Sequence, residues 1–322
     1  MKEGKYMETA NTKYGLFKDI TFSDYYSNGT LMRCILQQKN AVSVPCGTFV
    51  PMYKDDGKRK ILTKSMTFHE NGNLSCLILQ ETALVHTSLG RLPAEMITFY
   101  ESGAVKRIFP SFGMVNAFWT EKDEHRVSPE LEISVPFGKF NGKVIHLTLY
   151  ETGELKSITL WPDDEIPVET PSGIMQARIG FCLYQDGKIK SVEPALPTDV
   201  DTPIGIVPAF DPDALGIDGE NNSLVYAEDG NVASLLTGTA QITVICAGAE
   251  PIVHAPSFCG SSYFDNKRAV VPMRIRFEKG YVYFGSRKRK DTDVRYKISE
   301  CTFQIEYLDR EDCCNLCSDC FE

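Results

Sequence analysis

The chain has 322 residues, 43% of them apolar, and a net charge of −9. That length and composition describe a folded chain with a sizeable core in one or two domains, and exclude a disordered polymer. The acidic balance counts against a nucleic-acid surface as the main business, and no apolar run is long enough to span a bilayer.

Residues 1–20 read as a lead-in of mixed charge. They hold no apolar segment of the kind that marks a secretory signal. The expected location is therefore the cytoplasm, with the eleven cysteines as reduced thiols. Cys34, Cys46, Cys76, Cys182 and Cys246 fall in strand-like or turn contexts and are expected as small core residues or incidental ones.

From residue 21 to about 250 one pattern returns: an aromatic, two polar residues, glycine, any residue, an aliphatic. It is clearest at Tyr100–Lys106, Tyr150–Lys156 and Tyr184–Lys190, and looser around Gly29, Gly72, Gly230 and Gly280. Asn28-Gly29, Asn71-Gly72, Asp186-Gly187 and Asp229-Gly230 predict type I′ hairpins, with both central residues at positive φ. Before Gly153 the apolar Ile145, Leu147 and Leu149 alternate with His146, Thr148 and Tyr150, the period of a half-buried strand. After each turn the aliphatic spacing slips from two to three, as in Leu155 to Ile158 and Ile189 to Val192. That slip predicts a β-bulge.

A second turn alternates with the first, as in Pro45-Cys46-Gly47, Pro171-Ser172-Gly173 and Pro203-Ile204-Gly205. Its glycine lies 18 residues after Gly29, Gly72 and Gly187, but 35 after Gly103, so that unit carries an insertion near 111–130. No stretch shows helical periodicity. The expected fold is all-β: an extended array of repeated β-hairpins, solenoid-like or a curled twisted sheet, over 21–250. A C-terminal β cap over 251–311 and a Cys-rich tail over 312–322 complete it.

The turn motif at Tyr100–Lys106, Tyr150–Lys156 and Tyr184–Lys190 resembles the MORN-variant repeats of antitoxin-like bacterial proteins. It departs from them in its longer, less regular spacing and in the interposed Pro-x-Gly hairpin. The resemblance implies an interaction platform and no particular chemistry.

The sharpest chemical signal is the tail, where Cys313, Cys314, Cys317 and Cys320 give C-x₂-C-x₂-C with a fourth sulfur beside it. That spacing suits Zn or an Fe–S cluster, with Cys301 or Cys259 needed to complete a well-formed site. The plain alternative is a frayed terminus.

Elsewhere the signals are weak. The loop at Cys259-Gly260-Ser261-Ser262-Tyr263 has serine where a papain-type nucleophile would stand. Asp211, Asp213 and Asp218 fail the EF-hand pattern because Pro212 and Leu215 interrupt it. Lys58-Arg59-Lys60 and Arg287-Lys288-Arg289-Lys290 read as solvated hairpin tips, or as contacts for an anionic surface. The five histidines are scattered, and the familiar catalytic motifs are missing.

The leading expectation is a non-enzymatic cytosolic repeat protein that binds another protein along its array, using Tyr100, Tyr150 and Tyr184 as anchors. No catalytic residue, specific nucleic acid or membrane surface is expected. The rival is a metal or thiol-redox module built on the tail, and a hydrolase or lyase on a β scaffold ranks third.

Overall fold

The repeated turn is closed by two backbone hydrogen bonds. In the computed structural model, which describes residues 8–135, 138–214, 219–259, 269–286 and 289–308, the aromatic residue accepts from the glycine N–H and donates to the carbonyl one residue further on. The distances are 2.9 and 2.8 Å for Tyr150 with Gly153 and Glu154. His69, Tyr100, Tyr184 and Ala227 repeat this pair of bonds.

Only the glycine lies at positive φ, from 81° at Gly72 to 107° at Gly153. The type I′ expectation is thus corrected at these turns. The residue before glycine is there for its side chain: Asn28, Asn71, Asp186 and Asp229 each accept, through Oδ1, the N–H two residues on. A true two-residue loop with both central φ positive occurs at Lys279-Gly280, between Glu278 and Tyr281.

The bulges fall where the aliphatic spacing slips. Thr148 faces Ser157 but Leu149 faces Leu155, which leaves Lys156 as the extra residue. The same shift leaves Ser75, Lys106, Lys190 and Ala233 unpaired in their hairpins.

The second turn is a two-residue connection between a residue and a glycine that face each other, as Thr170 and Gly173 do. The Thr170 hydroxyl donates to the Gly173 carbonyl at 2.7 Å and accepts the Ser172 N–H. Thr12, Thr87 and Thr202 do the same beside Gly15, Gly90 and Gly205. The first of these hairpins, Glu8–Thr12 with Gly15–Tyr25, starts within the stretch read as a lead-in and runs past its end at residue 20, so paired strands already begin there.

The chain divides at Trp161 and Pro162 into two units. In the first, successive hairpins join edge to edge into one antiparallel meander running from Glu8–Thr12 to Leu155–Leu160. One cross-strand row on it reads Cys34, Met66, Leu77, Ile97, Ile108, Leu147, Ile158, and every member is 0% exposed. Each buried aliphatic contributes about 1.5–3 kcal/mol, so this row is the spine of the unit.

The second unit has its own meander from Glu165–Thr170 to Arg289–Lys297. Its spine is Phe181, Val192, Leu224, Leu235, Ile275 and Phe284, all fully or almost fully buried. The hairpins of the second turn bury one facing pair each: Val42 with Phe49, Val85 with Leu92, Ile133 with Phe140, Val168 with Met175, and Val200 with Val207.

The protein is nearly all-β, as the sequence predicts. Among the described residues the helical exceptions are a short 3-10 turn at Ile298–Glu300 and the helix Glu121–Val127, within the insertion and with a capping box between Thr120 and Asp123. Two turns are too short to show a period, which is why no helix was expected there. No helix among the described residues is long and apolar enough to cross a membrane.

Candidate functional site

Two of the tyrosines expected as anchors, Tyr100 and Tyr184, tie one hairpin to the next within their own unit. Tyr100 Oη donates to the Leu149 carbonyl and Tyr184 Oη to the Tyr226 carbonyl, both at 2.8 Å. Tyr26 and His69 make the same link earlier in the array, to Phe68 and Phe99. Each accepting carbonyl stands just before the aromatic position of the next hairpin, so the ties form a ladder along the turns. The bulge lysine sits over the ring of its own hairpin: Lys106 over Tyr100 at 5.3 Å, Lys156 over Tyr150 at 5.9 Å, Lys190 over Tyr184 at 5.6 Å. Tyr100, Tyr150 and Tyr184 are half-buried, each with a cation over its ring.

A buried polar cluster lies where the sequence suggested a solvated basic tip. Arg59 is not a free surface cation. Its Nη1 and Nη2 reach Glu95 at 3.1 and 2.5 Å, and its Nε and Nη2 reach Glu124 on the helix at 2.9 and 2.7 Å. Lys60 Nζ lies 3.2 Å from Glu95. The backbone N–H groups of Phe112 and Gly113 donate to Glu95 and Glu124, and Trp119 Nε1 donates to Glu124 at 2.7 Å.

Two carboxylates and two cations thus balance in a nearly buried cluster. Burial alone would raise the Glu95 pKa. The Arg59 hydrogen bonds, Lys60 and the Phe112 N–H outweigh it and hold Glu95 below the usual glutamate range. A cleft of about 360 Å³ opens beside the cluster, lined in part by Arg59, Thr82, Glu95 and Val127. Nothing local signals this assembly, because its members stand 36 and 65 residues apart in sequence.

The second unit buries a different acid. Glu193 is 1% exposed. It accepts from the Ser223 N–H at 2.7 Å and the Ser223 hydroxyl at 2.8 Å. Its nearest cation, Arg178, stands 3.7 Å away and donates to the Asp211 carbonyl. Burial pushes the Glu193 pKa up to about 7, with Asp211 adding to the rise; the Ser223 hydrogen bonds and Arg178 pull the other way. Asp211 is wholly buried and its Oδ1 accepts the Asp213 N–H, which suits a folded loop better than an open ion site.

Among the cysteines, Cys34, Cys46 and Cys182 are buried thiols as expected, and burial pushes Cys34 up to about 12. Cys246 is a correction. It is disulfide-bonded to Cys301, because the antiparallel register sets the two directly opposite each other. That bond also removes Cys301 as a ligand for the tail. Cys313, Cys314, Cys317 and Cys320 lie outside the described residues, as do Ser262, Asp218 and the side chain of Cys259. Among the described residues, no three His, Cys, Asp or Glu side chains gather as a metal ion would require.

No protein-family model, curated protein or solved structure matches this chain.

Proposed function

We propose that the chain is a non-enzymatic, solenoid-like β-hairpin repeat protein, akin to MORN-variant repeats, that serves as a platform for another protein. The observation that carries this is the ladder of turns. It offers half-buried tyrosines, each under a lysine, at a recurring place on successive hairpins. Rigid aromatics carrying cations suit a protein partner, since aromatic and basic side chains dominate interface energetics.

The test is capture of partners from a lysate by the full chain and by a variant with Lys106, Lys156 and Lys190 all changed to Ser. That variant removes the cations and leaves the tyrosine ties intact. Partners held by the wild type and lost by a variant with an unchanged melt support the platform. Equal capture by both would place the binding face elsewhere.

A further inference from the structure

The disulfide between Cys246 and Cys301 lies in the open. It closes one end of the antiparallel pair Ala240–Cys246 and Cys301–Tyr307. Both cysteines are half-buried, and residues 247–250, which follow Cys246, are exposed. No residue of Cys301–Tyr307 is buried. That strand is held by backbone pairing, by the side-chain hydrogen bonds of Glu306 and Tyr307 at its far end, and by the disulfide at its near end. A disulfide that solvent reaches is open to a thiolate, which attacks one sulfur and displaces the other.

The free thiols among the described residues are poor attackers. Cys34, Cys46 and Cys182 are buried, and burial pushes Cys34 up to about 12 and Cys46 and Cys76 up to about 11. Such thiols keep their protons near neutral pH. Four more cysteines, Cys313, Cys314, Cys317 and Cys320, follow on the same segment that carries Cys301. Chain length puts them within reach of it. The strand from Cys301 to Leu308 covers seven steps, about 23 Å. The nine steps from Leu308 to Cys317 span up to about 30 Å, so the Cys317 sulfur can return to Cys301. Cys314 and Cys320 each stand three residues from Cys317, the C-x₂-C spacing of a dithiol that closes on itself.

We infer that Cys246–Cys301 is an exchangeable disulfide and that the cysteine tail of the same chain is its dithiol partner. The Cys317 thiolate attacks Cys301 Sγ, the bond to Cys246 breaks, and Cys246 leaves as a thiolate that takes up a proton. Cys314 or Cys320 then loses its proton and attacks Cys317 Sγ. Cys301 leaves in turn and is protonated. One disulfide forms for one broken and two protons are given up for two gained, so the transfer needs no outside oxidant or reductant. Afterwards the Cys301–Tyr307 strand has lost its covalent tie. The inference stands apart from the platform reading, because thiol exchange and partner capture are separate measurements.

The test uses the full chain in a buffer with a metal chelator, treated with about 0.1 mM glutathione, well below the millimolar effective concentration of a tethered thiol. Samples are quenched in acid, alkylated, and their disulfides mapped by mass spectrometry. The comparison is a variant with all four tail cysteines changed to Ser, which leaves the described strands untouched. The expected result is loss of the Cys246–Cys301 link about tenfold faster in the wild type than in that variant, with a tail disulfide appearing as the link is lost. A second variant, Cys246→Ser, leaves Cys301 free. In a glutathione redox buffer, at low protein concentration, it should form a Cys301–Cys317 disulfide within one chain. Equal rates of loss in the wild type and the tail variant overturn the inference and leave the disulfide as a structural staple. So does a wild type without the Cys246–Cys301 link, or a folded Cys246→Ser variant whose Cys301 stays free or pairs with Cys259.

Discussion

Both units bury glutamates, and they treat them in opposite ways. In the first unit Glu95 and Glu124 are gripped by Arg59 through four hydrogen bonds, and Glu95 titrates below its ordinary range. In the second unit Glu193 is more deeply buried, its cation stands back at 3.7 Å, and its pKa rises to about 7. Burial is common to the two sites. Cation geometry separates them: a guanidinium within hydrogen-bond distance offsets desolvation, and one held off by another carbonyl does not.

The sharpest way to break the first cluster is Arg59→Ala. It leaves Glu95 and Glu124 buried against each other with Lys60 as the one remaining cation, and it frees the insertion that Glu124 anchors. Removing one partner of a buried ion pair costs about 3–5 kcal/mol, and this change removes the partner of two. The expected outcome is a fall in denaturant midpoint of that size, with loss of the Glu121–Val127 helix. A loss under about 1 kcal/mol would mean that solvent already screens the cluster.

The next test asks whether Glu193 is the opposite case. Its folded pKa of about 7 exceeds the ordinary value of 4.5. Between those values the folded chain holds a proton that the unfolded chain has lost. Its contribution is therefore fully present below pH 4.5 and is lost as pH rises through about 7. A shift of that size corresponds to about 3 kcal/mol. Glu193→Gln keeps a side chain able to accept from the Ser223 N–H and carries no charge. Its stability should match the wild type at the acid end and exceed it increasingly toward pH 7, then hold a constant margin. Parallel curves for the two proteins would show that Glu193 titrates as an ordinary surface acid.

The sequence carried the hairpins more clearly than the sites. Turn glycines and the slip after Leu155 are local, and each has a local cause, in φ or in the bulge. The insertion at 111–130 was also legible, because it broke the 18-residue spacing. Three things were not. The strand before Gly153 reads as half-buried, yet His146 and Thr148 are buried too, because the polar face of that hairpin is also covered. The basic run at Lys58–Lys60 reads as solvated, because its carboxylates arrive from distant hairpins. The link between Cys246 and Cys301 depends on strand register across 55 residues, which composition does not encode. Local periodicity fixes the strands, and the pairing of distant strands makes the sites.

The smallest expected effect is a control on the comparison itself. If the units differ because of their ion clusters, features they share should respond alike in both. Tyr100 in the first unit and Tyr184 in the second make the same tie at the same 2.8 Å, each with a lysine over the ring. A phenylalanine at either place keeps the ring and its packing and removes one hydrogen bond. The partner carbonyl is then left short of a donor. The expected loss is about 1 kcal/mol at each site, read as faster amide exchange in the strands of the unit that carries the change. Equal losses would confine the contrast to the buried acids. A loss at Tyr184 well above that at Tyr100 would trace it to the array as a whole, with Glu193 a symptom of looser packing in its unit.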